Sequence, residues 1–415
     1  NLPTTPEPQE VRARVALRVP TLQQAQHVAH EVEALYTNGP AGGGGATRTV
    51  REVIAAAAVL MPWWDLGTGA ALALAALISL RSARGRWKAL PVDVALWSGF
   101  AALAASALWT QAPSLETLLR WSPLLWIPLA LRRQHRAWHE GLIAGGILLS
   151  LVLMGNAVWA ALRAQSWDPL FYRDFAQLAH QHSYVTLYLG LSGAALATDL
   201  RFRGMIRPLL LGLFALVAVL AGSRMGLGAV VLGGLWWYTG RTAPRRLLPW
   251  AVGLAAVMLV AVALVPSERS LGKLTKADPY WATGSVDTRV VQAKAAWTVI
   301  SSDPWRGVGA DAVQDRLDRV YAEWNYRFGL RRHLNVHNQF LQLWAGIGLW
   351  GLGVWALGLA YCARRSSWNR GAQALALTLV LMLLTESMLE RAMGVVLVAT
   401  ALYHSLPRRI DGTWR

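Results

Sequence analysis

Long apolar blocks joined by short basic links are the feature that most constrains the fold of this chain. Of its 415 residues, 54% are hydrophobic, and the mean hydropathy is +0.33. Soluble enzymes of this length do not gather their apolar residues into continuous blocks of this kind, whereas a helix that crosses a bilayer needs about 20 of them in a row. The sequence therefore predicts an all-α, polytopic membrane protein.

The apolar blocks predict about twelve transmembrane helices. They cover residues 50–62, 67–81, 91–109, 114–131, 139–162, 183–199, 206–221, 225–240, 247–265, 338–362, 372–389 and 392–406. Several blocks are shorter than the roughly 20 residues that cross a bilayer. The number of spans is therefore inferred from the loops between them as well as from the blocks.

Basic clusters after every second block predict the orientation of the chain. They are Arg81, Arg84, Arg86 and Lys88; Arg132, Arg133 and Arg136; Arg201, Arg203 and Arg207; Arg241, Arg245 and Arg246; Arg364, Arg365 and Arg370; and Arg408 and Arg409. Because short cytoplasmic loops are the ones enriched in Lys and Arg, both termini are predicted to be cytoplasmic and the loop at residues 266–337 to lie outside. The net charge of +17 is assigned to topology and anionic membrane lipid, and no nucleic-acid partner is expected.

The predicted organisation has five parts. Residues 1–46 are a polar tail to which we assign no function, and residues 50–265 hold transmembrane helices 1–9. A periplasmic loop at residues 266–337 precedes helices 10–12 in residues 338–406, and residues 407–415 form a cytoplasmic tail. The single cysteine, Cys362, excludes an internal disulfide and a cysteine-based metal site.

The outer loop is where we expect the chemistry, because it is the one long polar stretch between two apolar spans. Its pattern predicts helices over residues 287–301 and 310–326, with a turn at residues 303–309 between them. The second predicted helix has one apolar stripe, formed by Val313, Leu317, Val320, Tyr321 and Trp324.

His337 stands where this loop enters the next span, with Asn338 beside it. A single histidine at a span boundary is often structural, but imidazole is also the side chain best suited to take a proton near neutral pH. His180 and His182 flank Gln181 in a pattern compatible with a metal, but no third ligand is evident. No metal site is predicted.

Several arginines on the predicted outer face are candidate ligands for an anion. Arg224 lies in a tight, glycine-containing turn, where it either snorkels to the interface or grips an anion. Arg391 has acidic neighbours, so a structural ion pair is an equal alternative. The candidates within the outer loop are Arg289, Arg306, Arg327, Arg331 and Arg332.

An ordered set of short motifs resembles the O-antigen ligase superfamily of bacterial inner-membrane enzymes. The motifs are Gly222-Ser223-Arg224, Asp287-Thr288-Arg289 with Trp297, Asp303-Pro304-Trp305-Arg306-Gly307-Val308-Gly309, and Val336-His337-Asn338-Gln339-Phe340-Leu341 with Gly346-Ile347-Gly348. Each motif is weak alone, but their order and the place of the long loop agree with the superfamily from about residue 50 to residue 407.

The resemblance implies a metal-independent glycosyltransferase without a cofactor, acting on the periplasmic side. It would move O-antigen polysaccharide from undecaprenyl pyrophosphate to a sugar hydroxyl of lipid A–core, with inversion at the anomeric carbon. His337 would be the base, and Arg224 and Arg289 would stabilise the pyrophosphate leaving group. Arg306, Asn338 and Arg391 are the further substrate-binding candidates.

Two kinds of alternative stay open at the sequence level. O-antigen polymerases and protein O-oligosaccharyltransferases share the motif pattern, and the length of this chain is more similar to that of a ligase. A secondary transporter is the alternative from another class, and it would carry ionisable residues deep within its spans. The predicted spans are nearly free of charge, which favours the enzyme.

Overall fold

The computed structural model describes residues 44–63, 65–82, 89–110, 113–179, 181–199, 201–202, 204–222, 285–365 and 370–405. The chain divides into two compact units, Asn1–Arg51 and Glu52–Arg415. Of the first unit, only residues 44–51 are described, and they begin the first helix. The predicted spans 225–240 and 247–265 lie outside the described residues, as does Arg224.

The described part of the chain is helical and contains no strand. The α-helices are α1 (Gly44–Leu60), α2 (Asp65–Ser82), α3 (Pro91–Ala105), α4 (Leu115–Trp121), α5 (Pro123–Ala164), α6 (Tyr172–Ala176), α7 (His182–Thr198), α8 (Ile206–Leu220), α9 (Ser285–Ser302), α10 (Val313–Glu323), α11 (Arg327–Arg332), α12 (Gln339–Arg365), α13 (Arg370–Leu383) and α14 (Ala392–Ser405). Short 3₁₀ turns lie at Ser106–Leu108, Asp168–Leu170, Ala310–Ala312 and Met388–Glu390.

Three described helices are long and apolar enough to cross a membrane, at Pro91–Leu108, Gln134–Ala164 and Gln339–Arg364. Four shorter apolar helices accompany them, at Gly67–Ser79, Ile206–Leu220, Ala372–Leu383 and Ala392–His404. The predicted all-α membrane fold is therefore confirmed, whereas the number of about twelve spans stays a prediction.

The structure changes two of the predicted spans. The block at residues 114–131 is divided at Ser122, where α4 ends and α5 begins with Pro123. The block at residues 372–389 ends early, because α13 stops at Leu383 and a non-helical segment leads into the 3₁₀ turn Met388–Glu390. This segment contains Glu386, which the prediction had placed inside the span.

The described part of the outer loop, residues 285–337, folds as a packed helical unit against the start of α12. The two predicted loop helices are confirmed as α9 and as the Ala310–Ala312 turn followed by α10, while the short α11 was not predicted. Their apolar residues share one core, into which the start of α12 contributes Ala345. Burial of Val313, Leu317, Val320 and Tyr321 confirms the stripe predicted for the second loop helix.

A backbone clasp, formed by residues 304–309 and 345–350, joins the turn after α9 to a break in α12. Gly348 has a left-handed φ of +72°, and this break exposes backbone groups that a continuous helix would use itself. Four backbone hydrogen bonds cross the clasp: Val308 N–H to Ala345 O (2.8 Å), Gly309 N–H to Gly346 O (2.9 Å), Leu349 N–H to Pro304 O (3.0 Å) and Trp350 N–H to Trp305 O (3.4 Å). A Cβ on Gly348 would clash with the carbonyl oxygen of Trp305, so a larger residue would not fit there.

Candidate active site

His337 lies in the turn that joins the outer loop to α12. Its backbone is left-handed, with φ of +49°, and its N–H donates to Asn335 Oδ1 at 3.1 Å. Asn338 then caps the helix, because its Oδ1 accepts the N–H of Leu341 at 3.0 Å. This capped turn holds the imidazole at the start of α12.

Glu386 is the side chain that brings His337 and Arg289 together. His337 Nδ1 lies 3.1 Å from Glu386 Oε2, and Arg289 Nη2 donates to Glu386 Oε1 at 3.3 Å. His337 belongs to the loop before α12, Glu386 to the segment after α13, and Arg289 to α9. Their side chains are 25%, 13% and 34% exposed for His337, Glu386 and Arg289 respectively, so the cluster is largely shielded but open on one side.

The surroundings of Glu386 keep its carboxyl group ionised. Burial alone would raise the pKa of Glu386, but the hydrogen bond to His337 and the nearby charge of Arg289 outweigh burial and hold the pKa below its ordinary value of 4.5. An ionised carboxylate only accepts hydrogen bonds, so Nδ1 of His337 must be the donor. Nε2 of the neutral ring then carries the free lone pair.

His182 adds a second imidazole beside this cluster. It is the first residue of α7, directly before the predicted span 183–199, and it interacts electrostatically with Glu386, Arg289 and His337. Burial lowers the pKa of His182 more than the Glu386 carboxylate raises it, which favours the neutral ring. Within the described segments, no group of three or more His, Cys, Asp or Glu side chains is placed to hold a metal ion.

This arrangement can take a proton and bind an anion at neighbouring points. In a neutral His337 ring whose Nδ1 donates to Glu386, Nε2 would accept a proton, and Glu386 would stabilise the imidazolium that forms. Of the five N–H groups of a guanidinium, Arg289 uses one for Glu386 among the contacts of the described residues. A guanidinium N–H without such a partner could donate to an anionic group such as a phosphate.

Comparison with known families agrees with this geometry. The family model described as O-antigen ligase matches residues 209–356, which include the outer loop, the clasp and His337. Over these residues, the chain is similar to an O-antigen ligase domain. A second family model, described as acyclic terpene utilisation family protein AtuA, matches residues 2–70, most of which lie outside the described part of the structure. A search of curated proteins found no match.

Of the predicted site residues, the structure brings His337 and Arg289 of the O-antigen ligase domain together. The side chain of Asn338 caps α12 and also donates to Leu384 O at 3.0 Å, so it holds the neighbouring segment in place. Arg306 lies in the clasp with its side chain exposed, and its backbone oxygen accepts the indole N–H of Trp109 at 3.1 Å.

Arg391 lies outside the matched region and is exposed, and it takes part in no ion pair found among the described residues. One of its acidic neighbours, Glu386, pairs with Arg289. Both predicted roles of Arg391, anion binding and a structural ion pair, stay predictions. His180 lies outside the described residues.

Sequence reasoning missed Glu386 as the partner of His337. It was treated only as an acidic neighbour of Arg391, within the predicted span 372–389. A carboxylate inside an apparently apolar span was the available signal, because buried acidic groups in membrane segments are costly and are generally functional. Glu386 also lies beyond the O-antigen ligase match, which ends at residue 356.

Proposed function

We propose that this protein is an O-antigen ligase, a glycosyltransferase that moves O-antigen polysaccharide from undecaprenyl pyrophosphate to a sugar hydroxyl of lipid A–core. The observation that carries the proposal is the His337–Glu386–Arg289 cluster at the start of α12, within and beside the O-antigen ligase domain. A proton acceptor next to an anion-binding guanidinium matches the two tasks of this transfer.

In the proposed reaction, the acceptor hydroxyl attacks the anomeric carbon of the donor directly. The new C1–O bond forms as the bond from C1 to the pyrophosphate oxygen breaks, and undecaprenyl pyrophosphate leaves with that electron pair. Nε2 of His337 takes the hydroxyl proton, a contribution of about 10²–10⁴-fold to the rate. One direct displacement inverts the anomeric centre.

Arginines rather than a metal ion stabilise the leaving pyrophosphate in this proposal. Arg289 carries the task from α9, and Arg224, which lies outside the described residues, is assigned the same role. Arg306, Asn338 and Arg391 are the further substrate-binding candidates, with Asn338 acting through the segment it holds. A planar guanidinium matches phosphate oxygens in pairs, which suits this role.

The proposal also places the protein in the bacterial inner membrane with about twelve spans, both termini in the cytoplasm and the cluster facing the periplasm. The positions of the basic clusters support this orientation. Apolar surfaces of the spans would hold the polyprenyl chain of the donor and the acyl chains of the acceptor.

Lipopolysaccharide from a deletion strain tests the proposal. The gene is deleted in its host and complemented with wild type, His337→Ala or the control His333→Ala at matched membrane abundance. We expect the deletion and His337→Ala to yield core alone while polymeric glycan accumulates on the lipid carrier, and His333→Ala to restore the ladder.

Other outcomes would replace the proposal. Core that carries a single repeat unit would make the protein a polymerase of the same superfamily. Loss of glycan from glycoproteins with intact lipopolysaccharide would make it a protein O-oligosaccharyltransferase. A deletion that changes neither glycan would favour a transporter, and an intact ladder with His337→Ala would remove His337 as the base.

A further inference from the structure

The segment that carries Glu386 has little regular structure of its own, so its position depends on neighbouring helices. Two polar side chains at the start of α12 and one of α7 hold it. Asn338 Nδ2 donates to Leu384 O at 3.0 Å, and Gln339 Oε1 accepts the N–H of Leu389 at 2.7 Å. The hydroxyl of Tyr184 in α7 donates to Met388 O at 3.4 Å.

Arg120 of α4 is the fourth anchor, and it comes from a different part of the chain. Its Nη1 donates to the backbone oxygen of Glu390 at 3.0 Å, across 270 residues of sequence. Its charge also acts on the Glu390 carboxyl group, whose pKa is raised by burial. The 3₁₀ turn Met388–Glu390 is thus fixed on one side by α12 and on the other by α4.

The second terminal nitrogen of the Arg120 guanidinium is connected to the outer loop through Thr117. Nη2 of Arg120 donates to Thr117 Oγ1 at 2.9 Å, and the Thr117 hydroxyl in turn donates to the carboxylate of Asp311. The backbone N–H of Ser114 donates to the same carboxylate. Burial alone would raise the pKa of Asp311, but these hydrogen bonds and the charge of Arg120 hold the pKa below its ordinary value, so the Asp311 carboxyl group is ionised near neutral pH.

We propose that Arg120 is a positioning residue that ties Asp311 of the outer loop to the Met388–Glu390 turn and thereby holds Glu386 against His337. The inference rests on the proposed function, because it assigns Arg120 a role in that reaction without contact to substrate. Asp311 follows the clasp directly, so the link joins the loop to the segment that completes the site. A guanidinium suits this task because its fixed fork serves two acceptors at once.

The consequence for the reaction is a loss of rate rather than of binding. When Arg120 is removed, the segment that carries Glu386 loses one of its four anchors, and Glu386 is held less firmly against Nδ1 of His337. Small misplacements of catalytic groups cost up to about 100-fold in rate. Arg120 makes no hydrogen bond to Arg289 among the described residues, and the pairing of Arg289 with Glu386 uses one of its N–H groups, so we expect donor binding to change less than the rate.

The test measures transfer in proteoliposomes that contain purified protein, undecaprenyl-pyrophosphate-linked glycan and lipid A–core. Wild type is compared with Arg120→Ala, Arg120→Lys, Asp311→Asn and the control Arg319→Ala, an exposed arginine of α10. We expect kcat to fall about 10- to 100-fold for Arg120→Ala with KM for the donor changed less than about 3-fold. Arg120→Lys and Asp311→Asn should lose about 3- to 10-fold, since each keeps part of the link.

A double-mutant cycle separates positioning from general stability. In the Glu386→Gln background, Arg120→Ala should cost less than about 3-fold further, because the interaction it supports is already gone. An equal loss in both backgrounds would show a purely structural role and overturn the proposal. The proposal would also be overturned if Arg120→Ala had the same kcat as the control Arg319→Ala.

Two further controls keep the result interpretable. Thermal unfolding is measured for each variant, and if Arg120→Ala does not fold, the same cycle is run with Arg120→Lys and with Asp311→Asn. His337→Ala is assayed in parallel. Failure of the wild type to transfer glycan to lipid A–core would refute the proposed function itself, and activity of His337→Ala would remove His337 as the base. An inactive His337→Ala beside a fully active Arg120→Ala would refute only the role of Arg120.

Discussion

Two histidine–carboxylate pairs lie four residues apart in this chain, and only one of them forms part of a larger cluster. His333 Nδ1 lies 2.6 Å from Asp318 Oδ2, and His337 Nδ1 lies 3.1 Å from Glu386 Oε2. Both histidines have left-handed backbones, with φ of +46° and +49°. By distance alone, the His333 pair would be the better site.

The two pairs differ in how deeply they are buried and in whether other charged or titratable side chains lie beside them. The His333 side chain is 71% exposed, and its partner belongs to α10 of the same loop. The His337 side chain is 25% exposed, and its carboxylate also binds Arg289 and interacts with His182. Solvent screens the first pair, whereas the shielded second pair keeps strong electrostatic coupling. A short contact therefore does not identify a site unless other functional groups share the same shielded space.

The largest expected effect on glycan transfer comes from removing Arg289 beside the His337 pair. Arg289→Ala should lower kcat/KM for glycan transfer by about 10²-fold, because one preorganised donor to the leaving group is lost. Arg319→Ala removes an exposed arginine that follows Asp318 in α10, and it should change kcat/KM less than about 3-fold. Transfer by purified protein in proteoliposomes measures both, and equal losses would abolish the distinction between the two regions.

The next largest effect on kcat is expected when the carboxylate of each pair, Glu386 or Asp318, is replaced by its amide. Glu386→Gln should lower kcat about 10- to 100-fold, since Glu386 orients His337 and stabilises its protonated form. Asp318→Asn should leave kcat within about 2-fold, because its partner is solvated. The same assay measures both variants, and a larger loss for Asp318→Asn would transfer the active site to the loop pair.

The clasp supports the start of α12, and its disruption should reduce stability. Gly348→Ala places a Cβ against the carbonyl oxygen of Trp305 at a left-handed φ, a strain of about 1–3 kcal/mol. Gly353→Ala, in the second half of the same helix with open space around it, should be neutral or slightly stabilising. Thermal unfolding in detergent compares them, and equal midpoints would show that the clasp contributes nothing.

The smallest expected effect is a pH dependence of stability. The folded-state pKa of Glu386 is lowered, so the stability it contributes is complete above about pH 4.5 and is lost as the pH falls through the folded pKa. The difference in unfolding temperature between wild type and Glu386→Gln should therefore disappear as the pH falls through the folded pKa of Glu386. A difference that disappears while the pH is still well above 4.5 would contradict the lowered pKa of Glu386.

Local parts of this structure were predictable from the sequence. The apolar stripe Val313, Leu317, Val320 and Tyr321 repeats with helical spacing, so α10 could be placed and its buried face named. The order of polar loop and apolar span drew attention to His337 and Arg289, and the structure brings both to one carboxylate.

The long-range parts were not predictable in the same way. The contact of Glu386 with His337 spans 49 residues, and that of Arg120 with Glu390 spans 270. Neither spacing leaves a periodic pattern. The end of α13 at Leu383 was missed because Met388 and Leu389 are apolar and continue the hydrophobic block in the sequence. The break at Gly348 lies inside the predicted span 338–362 and was not predicted either; it opens α12 to the clasp.

In the proposed reaction, His337 and not His333 takes the proton of the acceptor hydroxyl. The most direct test is the single-turnover rate of glycan transfer by His337→Ala and His333→Ala in proteoliposomes of equal protein content. We predict a loss of about 10²–10⁴-fold for His337→Ala and a rate within about 2-fold of wild type for His333→Ala. Retention of the wild-type rate by His337→Ala, or an equal loss in both variants, would contradict the claim.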